Sequence, residues 1–262
     1  MDWMGVTCAE DMTSKIPMAL MWICFATGCW KYAQWAYWLL LQLFCNCRCL
    51  CKANLSKYRR NKVKDDGTWA VITGGSDGIG FELCKQMADQ GFNTVMMARN
   101  QDKMDVRVKE LSESYPDVQH ASVKVDFSKL KSMQEYRDLI SKGLDGKDVG
   151  FVALNAGLGR AGSNHKIPDS ALEEVMTVNT LHVVFMAKIF LEMMMKREQK
   201  SAMVFVSSIA SRMVFPGWAS YSATKAFVTN LGNSVYYEVK DKVDVLVWTP
   251  GVIKTAFAEN FT

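Results

Sequence analysis

Thr68-Trp69-Ala70-Val71-Ile72-Thr73-Gly74-Gly75-Ser76-Asp77-Gly78-Ile79-Gly80 is the stretch that decides the architecture. Trp69–Thr73 is short, apolar and rich in β-branched residues, which reads as a buried strand. A Gly-x-x-x-Gly-x-Gly turn follows, and then 81–90 carries a helical pattern stopped by Gly91. Glycines placed there allow a tight turn, close approach of the backbone to a pyrophosphate, and phosphate docking at the helix N-terminus. Thr73, Gly74, Ser76, Gly78, Ile79 and Gly80 are therefore the expected phosphate-binding residues. The spacing differs from the commoner Gly-x-Gly-x-x-Gly, so the weight lies in its position between a strand and a helix.

The alternation continues outward from that unit. Apolar runs at 94–98, 118–125, 151–154, 202–206 and Val243–Trp248 read as strands, separated by helical patterns at 102–114, 130–142, 169–197 and 221–239. Such alternation predicts an α/β fold, a Rossmann-type doubly wound parallel sheet of about six strands covered on both faces. Ligands of these sheets sit outside the carboxyl ends of the strands. At the end of the second strand an NAD-binding chain would show Asp or Glu for the ribose hydroxyls, whereas this one has Arg99-Asn100. A guanidinium suits a 2′-phosphate, so NADP(H) is the expected cofactor, against an ordinary solvated loop cation. Asp126 ends the third strand, where it can accept from an adenine amino group or cap the following segment. Asn155-Ala156-Gly157 ends the fourth, and small residues there would let a cofactor lie against the sheet.

Downstream, Ser208 follows the strand at 202–206, and Tyr221 and Lys225 stand four apart in Tyr221-Ser222-Ala223-Thr224-Lys225. Residues four apart on a helix share a face, so phenol and ammonium can enter one pocket. A phenol holds its proton until about pH 10, and a nearby ammonium is expected to draw that value down toward the working range. A hydroxyl at a strand end and such a pair can converge on one carbonyl oxygen. The alternative is an aromatic facing the core beside a lysine snorkelling to water. Asn179 falls inside a helix, where an amide has low propensity; it reads either as a satisfied core amide or as a group holding a water beside the lysine.

Composition narrows the function classes. The net charge of +4 is concentrated in residues 1–64, with nine Lys/Arg against Asp2, Glu10 and Asp11. Residues 65–262 carry 22 basic and 24 acidic side chains, a near-neutral balance that gives no footprint for nucleic acid. Seven of the eight cysteines precede the domain and only Cys84 lies within it, unlike a disulfide scaffold, so a reducing compartment is expected.

Residues 16–45 are almost wholly apolar, interrupted by Lys31, Gln34 and Gln42. About 20 apolar residues span a bilayer, so residues 1–47 read as an anchor with a single transmembrane helix, not a cleaved signal peptide. Trp22, Trp30, Trp35, Tyr37 and Trp38 suit membrane interfaces, and Lys31 either snorkels or pairs within the membrane. A basic linker at 48–66 follows, with Arg48, Lys52, Lys57, Arg59, Arg60, Lys62 and Lys64 and no acid before Asp65. Such a collar binds anionic headgroups and places the 67–262 domain on the cytosolic or matrix side. Cys45, Cys47, Cys49 and Cys51 lack the paired spacing of a zinc site; acylation and simple packing both remain open, and no metal is expected.

The Thr-Gly-x-x-x-Gly-Ile-Gly turn, Asn155-Ala156-Gly157, Asn179, Ser208, Tyr221 with Lys225, and Pro250-Gly251 followed by Thr255 together resemble the short-chain dehydrogenase/reductase family over residues 68 to about 255. The resemblance implies Tyr221 as general acid/base, Ser208 polarising the substrate carbonyl, Lys225 binding the nicotinamide ribose, and Asn179 supporting a water relay. It also places Pro250, Gly251 and Thr255 beside the nicotinamide amide. Within the family the chain is most similar to the membrane-anchored 17β-hydroxysteroid dehydrogenase and very-long-chain 3-oxoacyl-CoA reductase branch. That implies NADPH-dependent reduction of a lipid-like ketone, a 3-oxoacyl group or a steroid, at the endoplasmic reticulum. Family members continue well beyond Pro250-Gly251, so a substrate lid and a last strand are expected to be absent from this stretch. With Lys31, that motivates an alternative: an accessory or structural subunit of a larger membrane complex, such as a mitochondrial inner-membrane respiratory assembly, retaining the reductase fold. An oligomer or assembly is expected on either reading.

Overall fold

A computed structural model of the chain describes residues 18–48, 54–60 and 67–253. It divides into two compact units, one up to Ala53 and one from Asn54 onward. The first contains helix α1, Met18–Arg48, 31 residues and so about 46 Å long. Trp22, Phe25, Trp30, Tyr32, Trp35, Tyr37 and Trp38 all stand exposed on it. At 100° per residue they point around the whole circumference.

The second unit is built on β1 (Trp69–Thr73), α2 (Gly78–Asp89), β2 (Asn93–Ala98), α3 (Gln101–Ser114), β3 (His120–Lys124), α4 (Met133–Leu144) and β4 (Val149–Leu154). It continues through α5 (Asp169–Met176), α6 (His182–Met194), β5 (Ser201–Val206), α7 (Ala219–Val239) and β6 (Val243–Trp248). The strands form one parallel sheet in the order β3-β2-β1-β4-β5-β6. The chain starts in the middle, winds outward on one side, then crosses back at β4 and winds outward on the other. The neighbours β1 and β4 therefore diverge into different connections, and the crevice between their carboxyl ends is where such a sheet receives a ligand.

Successive strand residues face opposite sides, and the core sorts accordingly. Val71, Val95, Val152, Met203 and Phe205 meet Tyr136, Ile140, Met186, Phe190 and Val228 on one face. Ile72, Met96, Ala153 and Val204 meet Phe81, Cys84, Met104 and Leu111 on the other. Each large side chain taken fully out of water, such as Phe92 or Phe190, stabilises the fold by about 1.5–3 kcal/mol. With every interior strand covered on both faces, apolar runs replace alternation, which is why the strands stand out in the sequence.

Two N-terminal expectations change here. Among the described residues, the helix long and apolar enough to cross a membrane by length and composition is Asp169–Met194, and 56% of its apolar window is buried inside the domain, as befits a core helix. The expected span forms a helix but falls short of that test, because Trp, Tyr, Gln and Lys dilute its hydropathy. Second, the collar is not uniformly free. Asn54–Arg60 forms a strap, with a 3₁₀ turn at Ser56–Tyr58, that belongs to the folded domain. Lys57 Nζ and Tyr58 Oη both reach Asp244, at 2.6 and 2.8 Å. Arg59 donates to the carbonyls of Gln90 and Gly91. Arg60 lies 3.5 Å from the carboxylate of Asp148, which is buried and also held by Arg197 through two hydrogen bonds of 2.8 and 2.9 Å. The domain thus begins before residue 67, and these three cations answer acids and carbonyls of the sheet's amino end. Their partners lie far along the chain, which is why they look unpaired locally. Cys49, Cys51, Lys52, Lys62 and Lys64 lie outside the described residues, as do the side chains of Cys45, Cys47 and Arg48.

Candidate active site

A cleft of about 770 Å³ opens at the carboxyl ends of the strands. The glycine turn forms its near wall. Gly74 adopts φ +66° and Gly78 φ +49°, values that favour glycine. A Cβ at Gly74 would lie 2.9 Å from Asn155 Nδ2 and 3.1 Å from Ala156 Cα, and one at Gly80 would collide with the Gly74 carbonyl oxygen. The turn is therefore pressed against both the Asn155 loop and its own helix. Gly74, Ser76, Gly78 and Ile79 line the cleft, while Gly80 serves the packing behind it.

Thr73 does something other than expected. Its hydroxyl accepts from the amides of Asn155 and Ala156 at 2.9 and 3.0 Å, and Asn155 Nδ2 donates to the Thr73 carbonyl at 2.9 Å. The side chain pins the ends of β1 and β4 together instead of facing the cleft. Asn155, Ala156 and Gly157 line the floor. A Cβ on Gly157 would lie 3.2 Å from Lys225 Nζ and 3.3 Å from Asn179 Oδ1, so glycine keeps the space above the lysine open. Arg99 and Asp126 line the far end. Asp126 Oδ1 also accepts from the amide and hydroxyl of Ser128, which closes a local turn; the helix that follows, α4, is capped by Ser132 and not by Asp126.

Tyr221 and Lys225 project from α7 into the cleft floor, and both are buried. Lys225 Nζ donates to the Val206 carbonyl at 2.9 Å and stands 5.8 Å from the Tyr221 ring centroid. Burial pushes its pKa down to about 8. Tyr221 departs from expectation in sign: burial raises its pKa, and a hydrogen bond from Ser208 partly opposes this. The low-dielectric pocket that places the two groups together penalises both charges, and on the phenol it outweighs the serine hydrogen bond. Ser208 Oγ accepts from the Ala210 amide at 3.2 Å, which leaves its proton free for the tyrosine. Trp218 packs edge-on against Tyr221 at 5.8 Å.

Asn179 is fully enclosed, and its side chain is spent. Oδ1 accepts from the Leu158 amide at 2.9 Å, while Nδ2 donates to the Leu158 carbonyl at 2.8 Å and to Thr224 Oγ1 at 3.0 Å. The satisfied-amide alternative describes these contacts: the side chain braces the floor loop against α7, one residue before Lys225. Between α5 and α6 the helix widens into a π turn at Thr177–Leu181 that contains Asn179. Such turns are rare and occur often at functional sites.

Pro250 and Gly251 border the cleft; Thr255 lies outside the described residues. Sequence reasoning missed Asp77, Arg160, Glu174 and Trp218, all of which line the cleft. Asp77 caps α2, accepting from the Gly78 amide, and Lys103 at 2.6 Å holds its carboxyl below the usual range. The available signal for Asp77 was its place before a helical glycine. Glu174 carried none beyond a helical spacing of four from Val178.

The cradle, the open floor and the buried lysine fit a dinucleotide. Residues 68–262 match the family described as short chain dehydrogenase. The chain belongs to the short-chain dehydrogenase family. It is 31% identical over 249 residues to a very-long-chain 3-oxoacyl-CoA reductase of Neurospora crassa, covering 87% of this chain and 71% of that protein. It is 33% identical over 180 residues to the Bos taurus protein of the same name, covering 67% of this chain and 56% of that one. This chain thus spans between about half and three quarters of the length of those relatives. A solved structure described as "Structural and biochemical insights into 7beta-hydroxysteroid dehydrogenase stereoselectivity" superposes with a TM-score of 0.69 at 27% identity, over 78% of this chain and 74% of that one. Short-chain dehydrogenases bind NAD or NADP and interconvert alcohols and carbonyls, and the cleft is built for a cofactor of that class.

Proposed function

We propose that the chain is an NADPH-dependent reductase of ketones on lipid-like substrates, with 3-oxoacyl thioesters favoured by the names of its relatives. One observation carries this reading: a phenol hydrogen-bonded to a serine hydroxyl, set over a buried lysine, on the floor of a cleft with a glycine cradle. The cofactor would supply hydride, held by the Gly74–Gly80 turn with Arg99 toward a 2′-phosphate. Ser208 would donate to the substrate carbonyl and orient it. Tyr221 would give its proton to the carbonyl oxygen as that oxygen gains charge. The raised phenol pKa has a direction: near pH 7 the tyrosine keeps its proton and stands ready as an acid, which favours reduction over alcohol oxidation. Lys225, with a pKa of about 8, remains mostly an ammonium at that pH and can hand a proton back to the phenolate.

The ring of exposed aromatic side chains on α1 supports a membrane location, since such surface is favoured against lipid and at its interfaces. The reading places α1 in a membrane, by preference that of the endoplasmic reticulum, with the catalytic unit on the cytosolic side. The deciding experiment incubates the detergent-purified full chain with NADPH and a panel of 3-oxoacyl-CoAs and 17-ketosteroids. Consumption of NADPH should appear with at least one substrate and fall by about 10²–10⁴ in Tyr221→Phe. No turnover with any of them refutes the reading and favours the accessory-subunit alternative. Alkaline carbonate extraction of membranes tests the location: release of the chain into the soluble fraction removes the anchor.

A further inference from the structure

Around Arg99, at the end of the cleft where the ribose 2′ position of a dinucleotide falls, two further charged groups converge. Glu174 is on α5 and lines the cleft, as does Val178 in the π turn that follows. Its Oε2 accepts from Arg160 Nη2 at 2.9 Å, and its Oε1 lies 3.9 Å from Arg99 Nη1. The carboxylate is the most enclosed of the three, with its side chain 23% exposed against 53% for Arg160 and 74% for Arg99. Lys131 and Glu173 line an adjoining hollow with Arg160 and cancel one another in formal charge. With Asp126, which lines the same end, the two arginines and Glu174 carry no net charge, too little to match a phosphomonoester of about −1.5 to −2.

We propose that Glu174 is the positioning residue that sets how strongly the cleft prefers a 2′-phosphate. It holds Arg160 and Arg99 on the cleft side, repels the phosphate they attract, and offers the ribose hydroxyls a carboxylate from α5. The end of β2, where that acid ordinarily sits, carries Arg99 instead. Glu174 therefore narrows the selectivity for NADPH over NADH, while Arg160 widens it. The inference rests on the dinucleotide reading given above.

The test is equilibrium binding of NADPH and of NADH to the full chain in detergent, by calorimetry, for the natural sequence, Glu174→Gln and Arg160→Met. Removing one charge a few ångströms from a partly hydrated phosphate should change affinity by about fivefold. Glu174→Gln should raise the ratio Kd(NADH)/Kd(NADPH) by about that factor, and Arg160→Met should lower it by a similar one. A loss of fold would weaken both nucleotides together, so the ratio separates selectivity from damage. A ratio unmoved in both variants, or moved in the opposite direction, with both nucleotides still bound, overturns this proposal alone. If the natural chain binds neither nucleotide, the dinucleotide reading itself falls and this inference with it.

Discussion

Replacing Lys225 by methionine should make the domain more stable at neutral pH while disabling it. The ammonium is buried, and its pKa falls from 10.5 to about 8 by desolvation. That shift corresponds to about 3 kcal/mol of lost stability at pH 7 relative to a solvated lysine. Methionine keeps the length and apolar stem without the charge. It forfeits the 2.9 Å hydrogen bond to Val206 O, a loss of about 1–2 kcal/mol for a carbonyl left unpaired. The net gain is about 1–2 kcal/mol, and at roughly 2–4 °C per kcal/mol for a domain of this size the melting temperature should rise by several degrees. The pH dependence gives the sharper test. The folded pKa lies below the unfolded one, so between pH 8 and 10.5 the unfolded chain binds the extra proton. Stability of the natural protein therefore rises through that window by this group's share. The variant lacks that rise, so its advantage should be full below pH 8, vanish between about pH 9 and 10, and turn into a deficit of about 1 kcal/mol by pH 10.5. Tyr221, Tyr136 and Cys84, whose pKa values burial also raises, titrate in both proteins and largely cancel. Urea denaturation of both forms at pH 7 and pH 10 measures the difference. A variant less stable at pH 7, or an advantage that does not shrink with pH, refutes the reasoning.

Arg197→Met should destabilise the domain by about 3–5 kcal/mol, because Asp148 would keep a buried charge without its two-pronged partner; urea midpoints report it, and a shift below about 1 kcal/mol contradicts the assignment. Asn179→Ala should unfasten the Leu158 loop from Thr224 and cost about 1–3 kcal/mol, since two half-buried backbone groups of Leu158 lose their match and buried Thr224 loses one of its partners. Hydrogen exchange should quicken at the Leu158 amide, and an unaltered rate there would show that something else holds the loop.

Much of the domain is legible from residues because its strands are buried on both faces. Trp69–Thr73 and Val243–Trp248 begin and end where their apolar runs do, and the other four strands shift by no more than two residues at either end. What stays hidden is whatever depends on partners remote in the chain. Lys57, Arg59 and Arg60 have the composition of a headgroup-binding collar, and Asp148 and Asp244 reveal their engagement only once the sheet is assembled. The π turn at Thr177–Leu181 is a single widened turn, too short to leave a periodicity of its own in the sequence. Spacing alone brought Tyr221 and Lys225 together correctly, but the direction of the phenol's shift depends on burial, which spacing does not encode. Thr73 and Asn179 carry side chains apt for a cofactor and use them to fasten backbone.

The strap at Asn54–Arg60 has a consequence for biogenesis. Lys57 and Tyr58 find Asp244 only 187 and 186 positions further along. During synthesis, that contact waits until β6 has cleared the exit tunnel, long after the glycine turn and its first helix have emerged. Early intermediates on the ribosome would thus leave the opening segment unclasped and the basal edge of the sheet unsealed, and closing so large a loop is entropically slow. A late-forming bond thus joins an early segment, so the clasp closes only once the β6 edge of the sheet is in place.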